Sequence, residues 1–425
     1  MQLGPIARVD GEIRVPGDKS IGHRSLLFGA LAAGSCPVVG LPSGGDVRTT
    51  LAVIRALGVR VDERGDQVVV HGTGWAGFDG SPAEPLWCGN SGTTTRLLLG
   101  VLAGRSGRKT LTGDPSLSRR PMGRVIRPLT RLGAEFELHG DGLPLTVIGA
   151  RLRGAELRSE VASAQVKSAS ILAALQAEGA SVVSEPAPTR DHTERMLLAM
   201  GAPLRQRPDG GWDVGGGAAP LQPVAFTVPG DPSSAAFLVA LAAARPGSVL
   251  RVEGVGLNPR RIGFLRVLAR MGAQVTWEVR GNDPEPWGAI EVRGGSLVGT
   301  EVDGADVVDA IDELPVLAVA ASQAEGTTTI RGAAELKVKE SDRIASTAAL
   351  LRGFGASCEP LDDGWVIRGP AKLRGARIEP GMDHRIAMAG AVAAACADGP
   401  SELDGHEWAA VSYPTFFDDL RRISA

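Results

Sequence analysis

Tyrosine is nearly missing from this 425-residue chain: there is one, and aromatic residues together make up 4%. Surfaces that stack nucleobases are built from such rings, so their scarcity argues against a nucleic-acid platform. Charge of neither sign is in excess, with 45 Lys plus Arg against 48 Asp plus Glu. A nucleic-acid or anionic-membrane partner needs a basic surplus, so any bound anion must be gripped by cations gathered locally. Cysteine is scarce too: Cys36, Cys88, Cys358 and Cys396 are scattered, with no C-x-x-C pair and no His at ligand spacing. That pattern argues against a disulfide framework or a structural zinc and fits a reducing cytoplasm. No apolar run reaches about 18 residues without a charge or glycine break, so no membrane span is expected. The start, "MQLGPIARVDGEIRV", lacks the apolar stretch of a secretory signal.

What is present is the composition of a soluble globular protein, 43% hydrophobic and 22% charged, long enough for two or three domains. Its strongest pattern is a repeat. "LGV" at Leu57, "LGA" at Leu132, "MGA" at Met200 and Met271, and "FGA" at Phe354 each close a helical stretch and precede a strand-like run. Each repeat also opens with polar residues before an Ala/Leu helix, as in "GDKSIGHRSLLFGALAAG", "GNSGTTTRLLLGVLAG" and "DHRIAMAGAVAAACADG". Six such units are expected, three to a domain, with a Gly/Pro-rich linker near residue 220. Strands alternating with helices make the class α/β or α+β. A second helix in five of the six units opens with Arg: Arg48, Arg120, Arg190, Arg260 with Arg261, and Arg343. Arg favours the other end of a helix, so five such starts read as a shared rule.

The polar openings carry the chemistry. "PGDKSIGHR" puts Lys19, Ser20 and Arg24 at a helix start that is already positive by roughly half a charge, which is unfavourable unless an anion sits there. Ser20 and Arg24 are four apart and share a face. "CGNSGTTTR" offers Asn90, Ser91, Gly92, Thr93 and Thr94, either as caps or as a start where small side chains admit an anion to the backbone amides. "GDPSLSRRPM" supplies Arg120, with Arg119 read as a surface residue. "SAQVKS" gives Ser163 and Gln165, neutral groups suited to hydroxyls. "TRDHTER" gives Arg190, able to hold a phosphate with two nitrogens or simply to pair with Asp191. In "VKESDR", Lys339 and Arg343 are read one helical turn apart, with Glu340 and Asp342 between them. Asp312 and Glu313 open the first helix of that unit, and acids within an anion-binding cleft point to proton transfer. "DHRIAMAG" adds Asp383, read as a cap, with His384 and Arg385.

In that order, "PGDKSIGHR", "GNSGTTTR", "RRPM", "SAQVKS", "TRDHTERM", "VKESDR" and "DHRIAMA" resemble the 5-enolpyruvylshikimate-3-phosphate synthase family, over nearly the whole chain. The resemblance implies a two-domain inside-out α/β barrel of six βαβαββ units, three per domain. It divides the chain into residues 14–224 and residues 1–13 with 225–425, the chain crossing twice, and places the site where polar helix starts of both halves meet. It implies transfer of the enolpyruvyl group of phosphoenolpyruvate to the 5-hydroxyl of shikimate 3-phosphate, with phosphate released, in the route to chorismate and aromatic amino acids. No metal or organic cofactor is implied, and neither nucleic acid nor membrane; a cytoplasmic monomer is the family expectation. Carried over by motif, Lys19, Ser20, Arg24, Ser163, Ala164, Gln165, Arg190, Asp312 and Lys339 would hold shikimate 3-phosphate. Lys19, Gly92, Arg120, Gln165, Arg343 and Arg385 would hold phosphoenolpyruvate, and Asp312, Glu340 and Lys19 would carry the chemistry.

Two departures and two competitors follow. Many relatives place a Lys at the position of Val411, so one cation of the phosphoenolpyruvate site is missing here. Gly92, where glyphosate-tolerant forms have Ala, implies sensitivity to that inhibitor. The transferase that modifies UDP-N-acetylglucosamine carries a reactive Cys where this chain has Pro115, and lacks the "DHR" opening. A non-catalytic binder of a phosphorylated metabolite would do better without Asp312 and Glu340.

Overall fold

The glycine of every repeated Leu/Met/Phe-Gly mark lies in the left-handed region: φ is +89° at Gly58, +98° at Gly133, +76° at Gly201, +96° at Gly272 and +89° at Gly355. Just before each, a helix ends. The Gly58 N–H bonds back to the Arg55 carbonyl at 2.9 Å and the Val59 N–H to that of Ile54 at 3.0 Å, and the other four copies repeat this pair. These bonds satisfy the last carbonyls of the helix, and only glycine adopts the required φ without strain. The following residue, Val59, Ala134, Ala202, Ala273 or Ala356, turns inward and is buried. The sequence mark is therefore a helix stop that starts a strand.

The computed structural model describes all 425 residues, in two units: Lys19–Val228, and Met1–Asp18 with Pro229–Ala425. The Lys19–Val228 unit holds α1 (Lys19–Leu31), α2 (Gly45–Ala56), α3 (Gly92–Leu102), α4 (Pro115–Ser118), α5 (Gly123–Arg131), α6 (Ala164–Ala174) and α7 (His192–Ala199). Its three sheets have four strands each. Leu86–Trp87, Arg108–Thr112, Leu145–Ile148 and Glu135–Leu138 form one, and Glu156–Arg158, Ser181–Ser184, Trp212–Val214 and Leu204–Gln206 another. In both, the first pair is parallel and the rest antiparallel. A parallel pair needs a crossover, and α3 and α6 provide it. In the remaining sheet, Ser35–Val39 takes its parallel neighbour from Phe226–Thr227, at the far end of the unit.

The other unit holds α8 (Pro232–Ala244), α9 (Gly263–Arg270), α10 (Gly304–Asp309), α11 (Leu314–Ser322), α12 (Arg343–Gly353), α13 (His384–Cys396) and α14 (Phe416–Ile423). It repeats the same scheme: Val249–Gly256 finds its parallel neighbour in Asp10–Ile13, from the start of the chain. The sixth copy departs from βαβαββ. Its sheet has three strands, and Gln2–Leu3 pairs antiparallel with Ser401–Leu403 where the other copies have a hairpin. The sheets stay separate and none closes into a barrel; helices lie inside them. Every residue of α11 and α13 is buried, and all but Ala244 of α8. Burial on all sides explains their Ala, Gly and Leu content. Small residues also set their spacing: a Cβ on Gly100 of α3 would lie 2.3 Å from the Ala169 carbonyl of α6. That close approach brings the starts of α3 and α6 level. No helix is long and apolar enough to cross a membrane.

Candidate active site

In the Lys19–Val228 unit, side chains tie the starts of the buried helices to one another. Arg24 of α1 is 3% exposed; its Nε donates to Thr193 Oγ1 of α7 at 2.7 Å and its Nη2 to Ser168 Oγ of α6 at 2.8 Å. Its Nη1 bonds the Ser20 carbonyl at 3.0 Å, one turn back on its own helix. Arg96 of α3 donates to Gln165 Oε1 of α6 at 2.6 Å, and Gln165 Nε2 donates back to Thr93 Oγ1 at 2.8 Å. Arg120 is buried and bonds Asn90 Oδ1 at 2.5 Å, while Asn90 Nδ2 reaches Asp114 at 2.6 Å. A Cβ on Gly92, first residue of α3, would lie 2.8 Å from Arg96 Nη1 and 3.4 Å from Arg120 Nη1. Two guanidinium groups thus converge on a helix start whose own amides point outward, an arrangement that binds anions.

Lys19 Nζ is held by Asp46 Oδ2 at 3.0 Å. One turn along both helices, His23 Nδ1 meets Thr50 Oγ1 at 2.6 Å. Thr50 in turn bonds Thr94 Oγ1 at 2.6 Å, and Thr94 donates to Ser91, the cap of α3, at 2.7 Å. Burial, with Lys19 and Arg24 beside it, holds the His23 pKa well below 6.5, so the ring is neutral. Ser163 and Ala164 begin α6 half-buried, and the Ser163 side chain makes no capping bond. Arg190 is half-buried just before α7. Arg119 is exposed, as its surface reading requires.

In the other unit, Arg343 is the centre. Its side chain is 1% exposed and bears three carboxylates: Asp383 at 2.8 Å, Glu340 at 2.6 Å and Asp312 at 3.2 Å. Asp383 also accepts from Ser341 Oγ and from the Arg385 amide, both at 2.9 Å. Burial works against its charged form, and Arg343 more than offsets this, so its carboxyl stays below the usual 3.8. Met382, immediately before it, has φ +67°, a conformation that costs a non-glycine residue about 1 kcal/mol and that aims Asp383 inward. Lys339 Nζ lies 3.7 Å and Arg385 Nε 3.9 Å from the same Asp312 oxygen. Arg385 Nη1 also bonds the Asp312 carbonyl at 2.9 Å and stands 3.6 Å from Glu313. Glu313, wholly buried, accepts from Ser233 of α8, and Ser233 is bonded by Arg261 at 2.8 Å. The starts of α8, α11, α12 and α13 are joined in this way.

Three expectations from the sequence change. Lys339 and Arg343 do not share a helical turn: a 3-10 helix ends at Val338, Asp342 caps α12, and the two cations meet on Asp312 instead. Asp383 is more than a cap, because it anchors Arg343 as well as its own helix. Arg48 does not follow the shared arginine rule; its side chain is about half exposed and pairs with Glu63 on the sheet. Pattern reading missed Asp46, Arg96, Ser168 and Thr193. Each sits inside a motif that was singled out or beside one, but helical Ser, Thr and Asp give no signal distinct from capping. Val411 ends a 3-10 helix, half-buried and without charge, and Pro115 opens α4 with all four cysteines buried elsewhere.

Known proteins share this arrangement over the full length. Residues 3–420 match the family described as EPSP synthase (3-phosphoshikimate 1-carboxyvinyltransferase). A 3-phosphoshikimate 1-carboxyvinyltransferase of Synechococcus sp. WH7803 is 50% identical over 420 residues, covering 97% of this chain and 95% of its own. That of Bacillus licheniformis is 44% identical over 428 residues, covering 100% and 99%. The solved EPSP synthase of Acinetobacter baumannii superposes with a TM-score of 0.87 at 41% identity, covering 100% of this chain and 98% of that one. An enolpyruvyl transferase of Streptomyces tendae, 19% identical with a TM-score of 0.79, shares the fold. With two clusters of cations at helix starts and this extent of identity, the chain belongs to the EPSP synthase (3-phosphoshikimate 1-carboxyvinyltransferase) family.

Proposed function

We propose a division of labour for the family's reaction, in which the enolpyruvyl group of phosphoenolpyruvate moves to the 5-hydroxyl of shikimate 3-phosphate and phosphate leaves. Shikimate 3-phosphate takes Lys19, Ser20, Arg24, Ser163, Ala164, Gln165, Arg190, Asp312 and Lys339. Phosphoenolpyruvate takes Lys19, Gly92, Arg120, Gln165, Arg343 and Arg385. What supports this most is that Asp312 and Glu340 both bond Arg343, so an anion that engages this arginine arrives beside two carboxylates.

Asp312, facing Arg343, Lys339 and Arg385, accepts the proton of the 5-hydroxyl as that oxygen attacks C2 of the enol. Glu340 delivers a proton to the methylene carbon, C3, which becomes a methyl group. An arriving carboxylate or phosphate competes for the Arg343 N–H groups that hold Glu340. The tetrahedral adduct then breaks its C–O bond to phosphate, which leaves with the proton that Asp312 had accepted, while Glu340 takes back a methyl proton and the carbon–carbon double bond returns. Lys19 offsets charge on the oxygens that gain it. The domain division follows the same reading, with each unit supplying one cluster.

Phosphate release from phosphoenolpyruvate, followed with and without shikimate 3-phosphate, tests the assignment. Release that depends on shikimate 3-phosphate is expected. Release with UDP-N-acetylglucosamine instead, or binding of either substrate without turnover, would overturn it.

A further inference from the structure

Beneath the start of α6, three ionisable side chains are shut away from water. Lys167 is 3% exposed, and its ammonium touches Glu185 at 2.7 Å and Glu194 at 2.8 Å, both carboxylates buried as well. Its third hydrogen bond goes to the Thr189 carbonyl at 3.3 Å. Glu185 uses its second oxygen for the Thr189 hydroxyl and its first also for the Thr189 amide, at 2.9 Å. A lone ammonium here would be strongly disfavoured, and one carboxylate is enough to balance it; burial pushes the Glu194 pKa up, against its charged form. The partners therefore call for another account, and their places in the chain give one. Lys167 follows Gln165 by two residues on α6; Thr189 directly precedes Arg190; Glu194 lies on α7 beside Thr193, which holds Arg24. The segment 185–190 has no helix or strand of its own to fix it, and the Lys167–Glu185–Thr189 clamp does so.

We propose that Lys167 is a positioning residue for Arg190: it locks the loop carrying that arginine to the helix start carrying Ser163, Ala164 and Gln165, and so sets the spacing of the phosphate grip on shikimate 3-phosphate. The proposal rests on the functional reading above. A guanidinium that must meet a phosphate in two-point geometry loses affinity steeply when its loop drifts by an ångström. Of the residues assigned to phosphoenolpyruvate none lies on this loop, and Gln165, which shares α6 with Lys167, is held separately by Arg96 and Thr93 of α3.

Two variants test it, Lys167→Met and Glu185→Ala. The first leaves two buried carboxylates and is expected to lower the melting temperature. The second leaves Lys167 beside Glu194, is expected to fold, and removes the Glu185 bonds to Lys167 and to the Thr189 amide and hydroxyl, so that only the 3.3 Å bond from Lys167 to the Thr189 carbonyl still ties the loop. In the folded fraction of both, KM for shikimate 3-phosphate should rise about tenfold or more, with KM for phosphoenolpyruvate within about twofold of wild type. Calorimetric titration with shikimate 3-phosphate should show the same loss. A purely structural cluster would lower the melting temperature of Lys167→Met and leave KM for shikimate 3-phosphate unchanged in Glu185→Ala, which overturns the proposal; equal rises in both KM values overturn it too. Wild type that fails to bind shikimate 3-phosphate would overturn the functional reading instead, so the two failures are distinct.

Discussion

The two clusters hold their cations by different means. In the Lys19–Val228 unit, Arg24, Arg96 and Arg120 rest on neutral partners, the hydroxyls of Ser168 and Thr193 and the amides of Gln165 and Asn90. In the other unit, Arg343 and Arg385 rest on carboxylates, those of Asp312, Glu313, Glu340 and Asp383. Neutral partners fix a guanidinium without cancelling its charge, which suits a bound anion, while Lys19 in the same unit meets the carboxylate of Asp46. Carboxylate partners cancel the charge but bring groups that can carry protons. In the proposed reading the first cluster mainly grips, with Lys19 offsetting charge in the reaction, and the second grips and carries the protons.

Removing a proton carrier should break this contrast most severely. Glu340→Gln keeps a hydrogen-bond acceptor for Arg343 and is expected to lower kcat by about 10²–10⁴-fold, with both KM values nearly unchanged. Near-normal turnover in steady-state kinetics would remove Glu340 from its role. Asp383→Asn takes from Arg343 its most buried counter-charge and should destabilise the fold by about 3 kcal/mol, measured by denaturant unfolding. Because the Asp383 carboxyl lies below 3.8 when folded, its contribution is fully present above that pH and lost as pH falls through the folded value. The acid limb of the stability curve should flatten in the variant.

Arg190→Ala sharpens the contrast from the gripping side. It should raise KM for shikimate 3-phosphate by an amount worth about 1.5–3 kcal/mol, as for hydrogen bonds to charged groups, and leave kcat close to wild type. A fall in kcat with KM unchanged would assign Arg190 to the chemistry instead. The smallest effect concerns His23. Folded, it resists protonation well below 6.5, so the unfolded chain binds the extra proton and stability drops by about 1.4 kcal/mol per pH unit below 6.5. His23→Asn should remove that slope between pH 6.5 and 5, and an unaltered slope would mean that other groups set it.

Much of this was legible in the chain. The five left-handed glycines are announced by their Leu/Met/Phe-Gly marks because a helix stop is local: its bonds reach no further than five residues. Lys19, Arg120, Arg190 and Arg343 could be picked out because cations at a helix start are locally unfavourable and need a reason, and Gly92 and Gln165 because they stand in the polar openings of the same repeats. Asp46, Arg96 and Lys167 could not. Their partners are 27, 69 and 18 residues away, and nothing in a helix of Ala, Ser and Val marks one lysine as an anchor. The helical reading of "VKESDR" failed for a related reason: Asp342 is a better helix cap than a helix interior residue, and as cap it accepts from the Ile344 and Ala345 amides.

The sequence by itself determined the local alphabet: where helices stop, which starts are crowded with charge, and that six similar units follow one another. Only the tertiary structure decided which charges share a partner. Three carboxylates on one arginine, and two on one lysine, are tolerated because mutual attraction, strengthened where water is excluded, offsets the cost of burying the charges. Spacing along a chain carries no record of that proximity, since the residues concerned lie on separate helices and loops and meet only when these pack.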